Sequence, residues 1–482
     1  MFDFFNNNAI FDSIIVDSDS YKGSMTVQYP TGTTKVYSYI ESRGGKYDET
    51  VFFGIQMFIK EYLLKRITME DIDFAEEIWT EHGEPFNRAM WEHIVKVHDG
   101  FMPVEIKAIP EGTVIPVHNV MVTIENTDPI CFPLTTFLET ALLRAIWYPV
   151  TVATTSREIK KVIAKYLMDT GDISLINFKL HDFGARGASS KESAKIGGMA
   201  HLVNFMGTDT IGAIVGHRKY YNTRMAGFSI PAAEHSTITS WGRENEVQAY
   251  RNMLRNFAKP GSIVAVVSDS YDIFNAVENL WGGELRQEVI DSGATIVIRP
   301  DSGDPVEVVT KVAKLLDKTF GSTINDKGYK VLNVVRIIQG DGINIDTVTD
   351  ILESLKQNGF SADNVAFGMG GALLQAPQRD DQKFAMKCSA ALINGEWVDV
   401  YKDPITDKGK TSKKGRLVLI DNTNSVEITE TGITKGPSVI TVSEDYATKF
   451  GATNLLRSVY LNGKLLIDDS LEEIRDRAKL IL

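Results

Sequence analysis

The sequence predicts an α/β protein: a parallel sheet in the middle of the chain, open or closed into a barrel, with α+β segments at both ends. Three observations carry this expectation. Between Phe178 and about Arg379, short β-prone runs alternate with stretches of helical periodicity. The runs end in Gly, Asp or Ser clusters, so polar residues gather where parallel α/β folds assemble their sites. The chain has 482 residues, 43% hydrophobic and 24% charged, enough material for two or three domains with large cores.

Seven strand endings follow in order. They are Lys179-Leu180-His181-Asp182-Phe183-Gly184, Phe205-Met206-Gly207-Thr208-Asp209, Phe228-Ser229-Ile230-Pro231 and Val264-Ala265-Val266-Val267-Ser268-Asp269. Then come Ile296-Val297-Ile298-Arg299-Pro300-Asp301, Val335-Arg336-Ile337-Ile338-Gln339-Gly340-Asp341 and Val365-Ala366-Phe367-Gly368. Helical periodicity is clear over Val306–Leu316 and Ile345–Leu355. The flanks mix a helix predicted over Thr50–Leu64 with β-like stretches at Val104–Pro110, Met121–Asn126, Gly415–Ile420 and Ser438–Val442. Residues 1–150 and 388–482 are therefore read together as one α+β flanking domain, and 151–387 as the α/β domain.

Charge and composition exclude several classes. A net charge of −12 disfavours a general binder of nucleic acid or anionic membrane. Cys131 and Cys388 are too far apart in sequence for a zinc or redox motif, and their scarcity fits a reducing compartment. The start, Met1-Phe2-Asp3-Phe4-Phe5-Asn6, carries an acid where a secretion signal carries bases. No apolar run approaches the about 18 residues needed to span a bilayer. A cytoplasmic protein is the expectation, with no repeat or low-complexity tract.

Four constellations can carry chemistry. Phe367-Gly368-Met369-Gly370-Gly371-Ala372 follows a strand; such glycines let a backbone approach phosphate, and serve equally as tight turns. Asp269, Asp301 and Asp341 stand at successive strand ends. They can hold Mg²⁺ or steady a sugar cation, or simply cap the next helix. His235 lies in Pro231-Ala232-Ala233-Glu234-His235-Ser236-Thr237, where neighbouring side chains of an extended segment, such as Glu234 and His235, point oppositely. A basic and aromatic set comprises Tyr21, Arg43, Phe183, Arg186, Arg299, Arg379, Lys387, Lys402, Lys410 and Lys413-Lys414. Arginines suit phosphate and aromatics suit a flat heterocycle, although scattered lysines are usually solvated surface. Lys408-Gly409-Lys410-Thr411 lacks the upstream glycine spacing of a P-loop and is not read as one.

Read together, these strings resemble the nicotinate/nicotinamide phosphoribosyltransferase family. The resemblance runs from Asp19-Ser20-Tyr21-Lys22 and Lys35-Val36-Tyr37-Ser38-Tyr39, through Glu125-Asn126-Thr127-Asp128-Pro129, to Ser412-Lys413-Lys414-Gly415-Arg416. It includes His181-Asp182-Phe183-Gly184-Ala185-Arg186-Gly187, Ala200-His201-Leu202-Val203-Asn204-Phe205 and Val267-Ser268-Asp269-Ser270-Tyr271-Asp272. It implies an α/β-barrel phosphoribosyltransferase of the type II kind, a homodimer with active sites at the subunit interface. The implied reaction joins nicotinamide to 5-phosphoribosyl-1-pyrophosphate, with Mg²⁺. ATP enters as co-substrate through a phosphohistidine at the position of His235.

The resemblance also implies roles. Phe183 stacks on the pyridine ring, with Tyr21 of the partner subunit on its other face. Asp209 accepts a hydrogen bond from the amide NH₂ and repels a carboxylate, favouring amide over acid. Arg186 and Arg299 lie near base and ribose, as do Asp301, Gly340 and Asp341. Gly370, Gly371 and Arg379 cradle the 5′-phosphate. Arg43, Lys387, Lys402 and Lys410 face pyrophosphate or ATP phosphates, while Glu234, His235, Asp269 and Asp301 form the catalytic set. Ala185, Ala265, Met369 and Ala372 depart from the family's pattern without removing any of these groups, and the linker around Gly216–Gly227 is shorter. Rival readings are a nicotinate-specific relative, opposed by Asp209, and a non-catalytic binding protein on the same scaffold. A sugar-phosphate aldolase or isomerase would want a Schiff-base lysine at a strand end, and none is convincing.

Overall fold

Ile263–Val267 reads Ile-Val-Ala-Val-Val, a run whose branched side chains suit a pleated sheet buried on both faces. In the computed structural model it is one edge of a six-stranded sheet in which every neighbouring pair is parallel. The order is Gly207–Thr208, Leu180–Asp182, Val365–Met369, Val335–Gln339, Thr295–Arg299 and Ile263–Val267. The seventh predicted strand end, Phe228 to Pro231, joins by single parallel bridges to both edges: Phe228 to Gly207 and Ala232 to Ala265. Phe228 N donates to Met206 O at 2.7 Å and Ala265 N to Pro231 O at 2.9 Å. The structure describes residues 12–406, 410–423, 426–429, 432–435 and 438–481. The N-terminal Met1–Asn6 stretch and the Lys408-Gly409 part of the rejected P-loop lie outside them.

Strand alternation sorts the side chains of this sheet. Ala265, Val297 and Ile338 form a buried cluster with Ile230, Phe183 and Ala366 packed against it. Val264, Val266, Ile296, Ile298 and Ile337 point the other way and are fully buried. Each such side chain contributes roughly 1.5–3 kcal/mol. Crossover helices pack on the sheet: Glu246–Phe257 on the Ile263–Val267 strand and Pro305–Phe320 on the Val335–Gln339 strand. Pro305–Phe320 starts where Asp304 accepts Val306 N and Glu307 N at 3.0 and 2.9 Å. It buries Val309, Val312, Ala313, Leu316 and Phe320, the helical spacing legible in the sequence.

The chain divides into two compact units. One takes Val152–Arg218, Thr223–Pro377 and the last residues from Lys479, and holds the parallel sheet. The other takes the chain up to Thr151, Lys219–Asn222 and Gln378–Ala478. Its sheet has seven strands in the order Glu396–Asp399, Phe384–Ile393, Thr33–Ser42, Val120–Asn126, Val104–Ala108, Arg457–Leu461 and Lys464–Leu465. Thr33–Ser42 pairs antiparallel with both Phe384–Ile393 and Val120–Asn126, so the two ends of the chain share one sheet. Where Thr33–Ser42 runs past the end of its pairing with Val120–Asn126, Asn126 takes over the backbone groups: its Oδ1 accepts Val36 N and its Nδ2 donates to Thr34 O.

One element departs from the sequence reading. Thr50–Leu64 is not a single helix. Glu49–Val51 is a strand, and Gly54 at φ +115° turns the chain before the helix Ile55–Phe58 and the π-helical turns Ile59–Leu63. Apolar residues on every face hid the break, because periodicity cannot separate a buried strand from a buried helix. No single helix among the described residues is long and apolar enough to cross a membrane.

Candidate active site

The parallel sheet brings its acids to one rim by a repeated offset. Asp269, Asp301 and Asp341 each lie two residues beyond the end of a strand, and Asp209 lies one beyond. His235 arrives from the Phe228–Ala232 segment as the first residue of the short helix His235–Thr239. Its Nε2 is 2.9 Å from Asp269 Oδ1, and its Nδ1 is 4.0 Å from Asp301 Oδ2. Asp269 Oδ2 accepts the backbone N–H of Asp301 at 3.0 Å and the Ser302 hydroxyl at 2.6 Å. Burial pushes the Asp269 carboxyl up, but the bonds from Ser302, His235 and Asp301 outweigh it, so the group is held below its ordinary value. An ionised Asp269 accepts from Nε2 and orients the ring, which is 44% exposed and turns Nδ1 toward Asp301.

Arg299 lies 3.9 Å from Asp301 Oδ2, and its Nε is buried with no hydrogen bond. Ser270 Oγ and Gln339 Oε1 are likewise buried without a partner. Three orphaned polar atoms beside one set of strand ends call for a polar ligand. Glu234 does not join this group: it stays extended as the residue before the helix, and its exposed carboxylate takes the Ser236 hydroxyl.

Phe183 follows the Leu180–Asp182 strand, with its N–H donating to Met369 O at 2.9 Å. Its ring covers Gly368 so closely that a Cβ there would clash with Cε2 and Cδ2. A Cβ on Gly340 would meet both Phe183 and Asp301 Oδ1 at 3.4 Å. The two glycines thus leave room for one flat ring beside Asp301. Asp209 is half exposed; its Oδ1 accepts the Ser229 hydroxyl at 2.6 Å and lies 3.8 Å from His181 Nε2. Burial lowers the His181 imidazole, so it stays a neutral neighbour. Arg186 is exposed on the turn Ala185–Gly187, whose Gly187 packs against Gly371. Gly370 and Gly371 open the turn Gly371–Leu374, and nothing crowds Gly371. Asp341 is exposed, its backbone carbonyl held by Gln339 Nε2 at 2.9 Å.

Sequence reasoning missed the residues that hold this rim in shape. Asp182 is fully buried and accepts Gly184 N at 2.8 Å and Thr208 Oγ1 at 3.1 Å, tying two strand ends together. Burial drives its carboxyl above the ordinary range despite those bonds. Ser229 and Ser302 aim Asp209 and Asp269. Their only signal was their place in the polar clusters after strands.

The remaining predicted residues belong to the other unit. Tyr21 is 56% exposed. Lys22 bonds Glu139 Oε2 at 2.5 Å and Lys387 lies 3.9 Å from Glu139 Oε1. Arg43 Nε donates to Glu41 Oε1 at 3.1 Å, and Lys413 takes Glu41's other oxygen. Burial lowers the Lys387 ammonium, and Arg43, Lys402 and Lys22 add repulsion against the attraction of Glu139. Crowded cations with too few acids favour a bound anion. Lys402 and Lys410 are exposed, and Arg379 pairs with Asp380 at 3.1 Å.

Comparison with known proteins places these features in a family. Residues 178–464 match the nicotinate phosphoribosyltransferase (NAPRTase) family, and residues 13–106 match the nicotinamide phosphoribosyltransferase N-terminal domain. A nicotinamide phosphoribosyltransferase of Xanthomonas campestris pv. campestris is 54% identical over 97% of this chain and 98% of its own. One from Acinetobacter baylyi is 32% identical over 95% of each. Among solved structures, nicotinate-nucleotide pyrophosphorylase from Pyrococcus furiosus has a TM-score of 0.61 at 16% identity, covering 99% of this chain and 97% of its own. Human nicotinic acid phosphoribosyltransferase has a TM-score of 0.55 at 15% identity, over 96% and 92%. At that identity the solved structures speak to the fold.

Proposed function

Because the chain belongs to the nicotinate phosphoribosyltransferase family, we infer that it transfers the phosphoribosyl group of 5-phosphoribosyl-1-pyrophosphate to nicotinamide, giving nicotinamide mononucleotide and pyrophosphate in NAD salvage. The single observation that carries this reading is the 54% identity, end to end, to a nicotinamide phosphoribosyltransferase. The finer fold assignment is a type II phosphoribosyltransferase barrel. It is supported by the bridging of both sheet edges by residues 228–232.

The chemistry asks little proton transfer of the protein. The pyridine nitrogen forms the new bond to C1′ as the bond to pyrophosphate breaks, and the sugar passes through an oxocarbenium-like state. Phe183 stacks the base, and Asp209 accepts from its amide. Asp301 faces the developing sugar cation, and Arg299 supplies donors to ribose and phosphate. Gly370, Gly371 and Arg379 take the 5′-phosphate; Arg43, Lys387, Lys402 and Lys410 take pyrophosphate or ATP phosphates. A magnesium ion, when bound, neutralises the leaving pyrophosphate. Asp301 and Asp341 fit that ion better than Asp269, both of whose oxygens are engaged.

ATP coupling rests on His235. Its Nδ1 attacks the γ-phosphorus, ADP departs, and Asp269 holds the Nε2 proton and steadies the ring. The working form is a cytoplasmic homodimer in which Tyr21 of the partner subunit covers the base. Turnover followed by mass spectrometry with phosphoribosyl pyrophosphate, Mg²⁺ and either base, with and without ATP, tests the reading. Mononucleotide from nicotinamide and stimulation by ATP that His235→Ala abolishes are expected. Product from nicotinate alone overturns the assignment of Asp209.

A further inference from the structure

The motif Glu125-Asn126-Thr127-Asp128 takes no part in the chemistry above, yet it ends in a built cluster. Asn126 Nδ2 donates to Asp128 O at 2.8 Å, and Asp128 Oδ1 accepts Ile130 N at 2.8 Å. With one oxygen so engaged, Asp128 presents the other, Oδ2, to two imidazoles. His93 Nε2 lies 2.9 Å and His98 Nε2 2.8 Å from that one oxygen. His93 sits in the helix Arg88–Val97, and His98 follows at φ −110°, ψ 16°, where the chain leaves the helix. That exit brings a residue five positions on back beside His93, with the ring centroids 5.5 Å apart. Among the described residues, these three form the one group of three His, Cys, Asp or Glu whose donor atoms all lie within 4.8 Å of one another.

We propose that His93, His98 and Asp128 form a binding site for a zinc-class divalent ion, separate from the magnesium used with phosphates. Two imidazole nitrogens and one carboxylate oxygen are a borderline donor set, suited to Zn²⁺, Co²⁺ or Ni²⁺ and poorly suited to Mg²⁺ or Ca²⁺. Bonds of about 2.0–2.1 Å in a tetrahedral shell place donors about 3.3 Å apart. Each imidazole–carboxylate distance therefore widens by about half an ångström as the ion replaces the shared hydrogen bonds. The imidazoles bind through Nε2, the nitrogen that already faces the carboxylate on both rings.

Cys131, three residues further on and fully buried, is not part of this donor group. Water completes the shell, since the side chains of His93, His98 and Asp128 are 22%, 21% and 15% exposed. The ion pins the end of the Arg88–Val97 helix to the turn after the Val120–Asn126 strand, so it acts on stability.

The test uses the full chain stripped with chelator and titrated with Zn²⁺ and Co²⁺ in excess Mg²⁺. One ion per chain, a visible ligand-field band with Co²⁺ and a higher melting temperature with Zn²⁺ are expected. His93→Gln and His98→Gln should each weaken binding at least about 100-fold and remove the melting shift. Asp128→Asn, which keeps a hydrogen-bonding oxygen, should weaken it too. Far-UV circular dichroism and unchanged Mg²⁺-supported phosphoribosyl transfer check that the variants fold. Absence of stoichiometric binding to the wild type overturns the proposal, and so does undiminished binding by a folded His93→Gln/His98→Gln double variant.

Discussion

The two ends of the parallel sheet use similar residues in opposite ways. At the carboxyl rim, Arg299 Nε, Gln339 Oε1 and Ser270 Oγ are buried without partners, and Asp209 and Asp341 face solvent. At the amino end, polar groups just as deep are saturated. Lys179 Nζ donates to the carbonyls of Ala362, Asp363 and Val365 at 2.9–3.0 Å. Asn364 accepts Leu332 N and donates to Lys330 O and Ser361 O, all within 2.9 Å. Folding stability is served by closing hydrogen bonds, and substrate recognition by leaving them open and aimed. One sheet carries both because its parallel strands keep the two ends apart.

The sharpest way to break this comparison is Asp301→Asn. It should cut the rate of mononucleotide formation about 10²–10³-fold, while the thermal midpoint barely moves. A fall in stability matching the fall in rate would make Asp301 a structural residue instead. Next in size, Asp209→Ala should raise KM for nicotinamide about 10- to 100-fold and narrow the preference over nicotinate in paired initial-rate assays. The amino end should answer in the other currency. Lys179→Met leaves three carbonyls without their donor and should destabilise the chain by about 1–3 kcal/mol in urea unfolding at pH 8, with KM unchanged.

The smallest effect is a slope. Burial, eased by Asp363 and reinforced by Arg336, brings the Lys179 ammonium from its ordinary 10.5 down to about 7. Between those values the unfolded chain binds more protons than the folded one, so stability rises with pH there; below about 7 the burial penalty is felt in full. Urea midpoints at pH 7, 8 and 9 should climb more steeply for the wild type than for Lys179→Met. Parallel slopes would assign the pH dependence to other groups.

Much of this was legible in the chain. The strand ends at Asp269, Asp301 and Asp341 were marked by an apolar β-branched run followed by a polar cluster, and the helices over Val306–Leu316 and Ile345–Leu355 by their period. Asp269, Asp301 and Asp341 showed themselves by falling at equivalent offsets. Glu234 and His235 illustrate the boundary: the sequence made them neighbours, and the fold sent one carboxylate to Ser236 and the other side chain to Asp269. Thr50–Leu64 illustrates another, since a residue buried on every side carries no period.

What the amino-acid sequence determines by itself is local: runs, caps, the glycines that keep space open for Phe183, and the identity of every charged group. Only the tertiary structure decides which groups meet. Asp269 and His235 are 34 residues apart, and His93 and Asp128 are 35 apart. Hydrogen bonds across such separations depend on sheet order and helix docking, which no local pattern encodes. Whether Lys179 is paired and Arg299 left open depends on which backbone carbonyls the fold brings within 3 Å of each, and on which it keeps away.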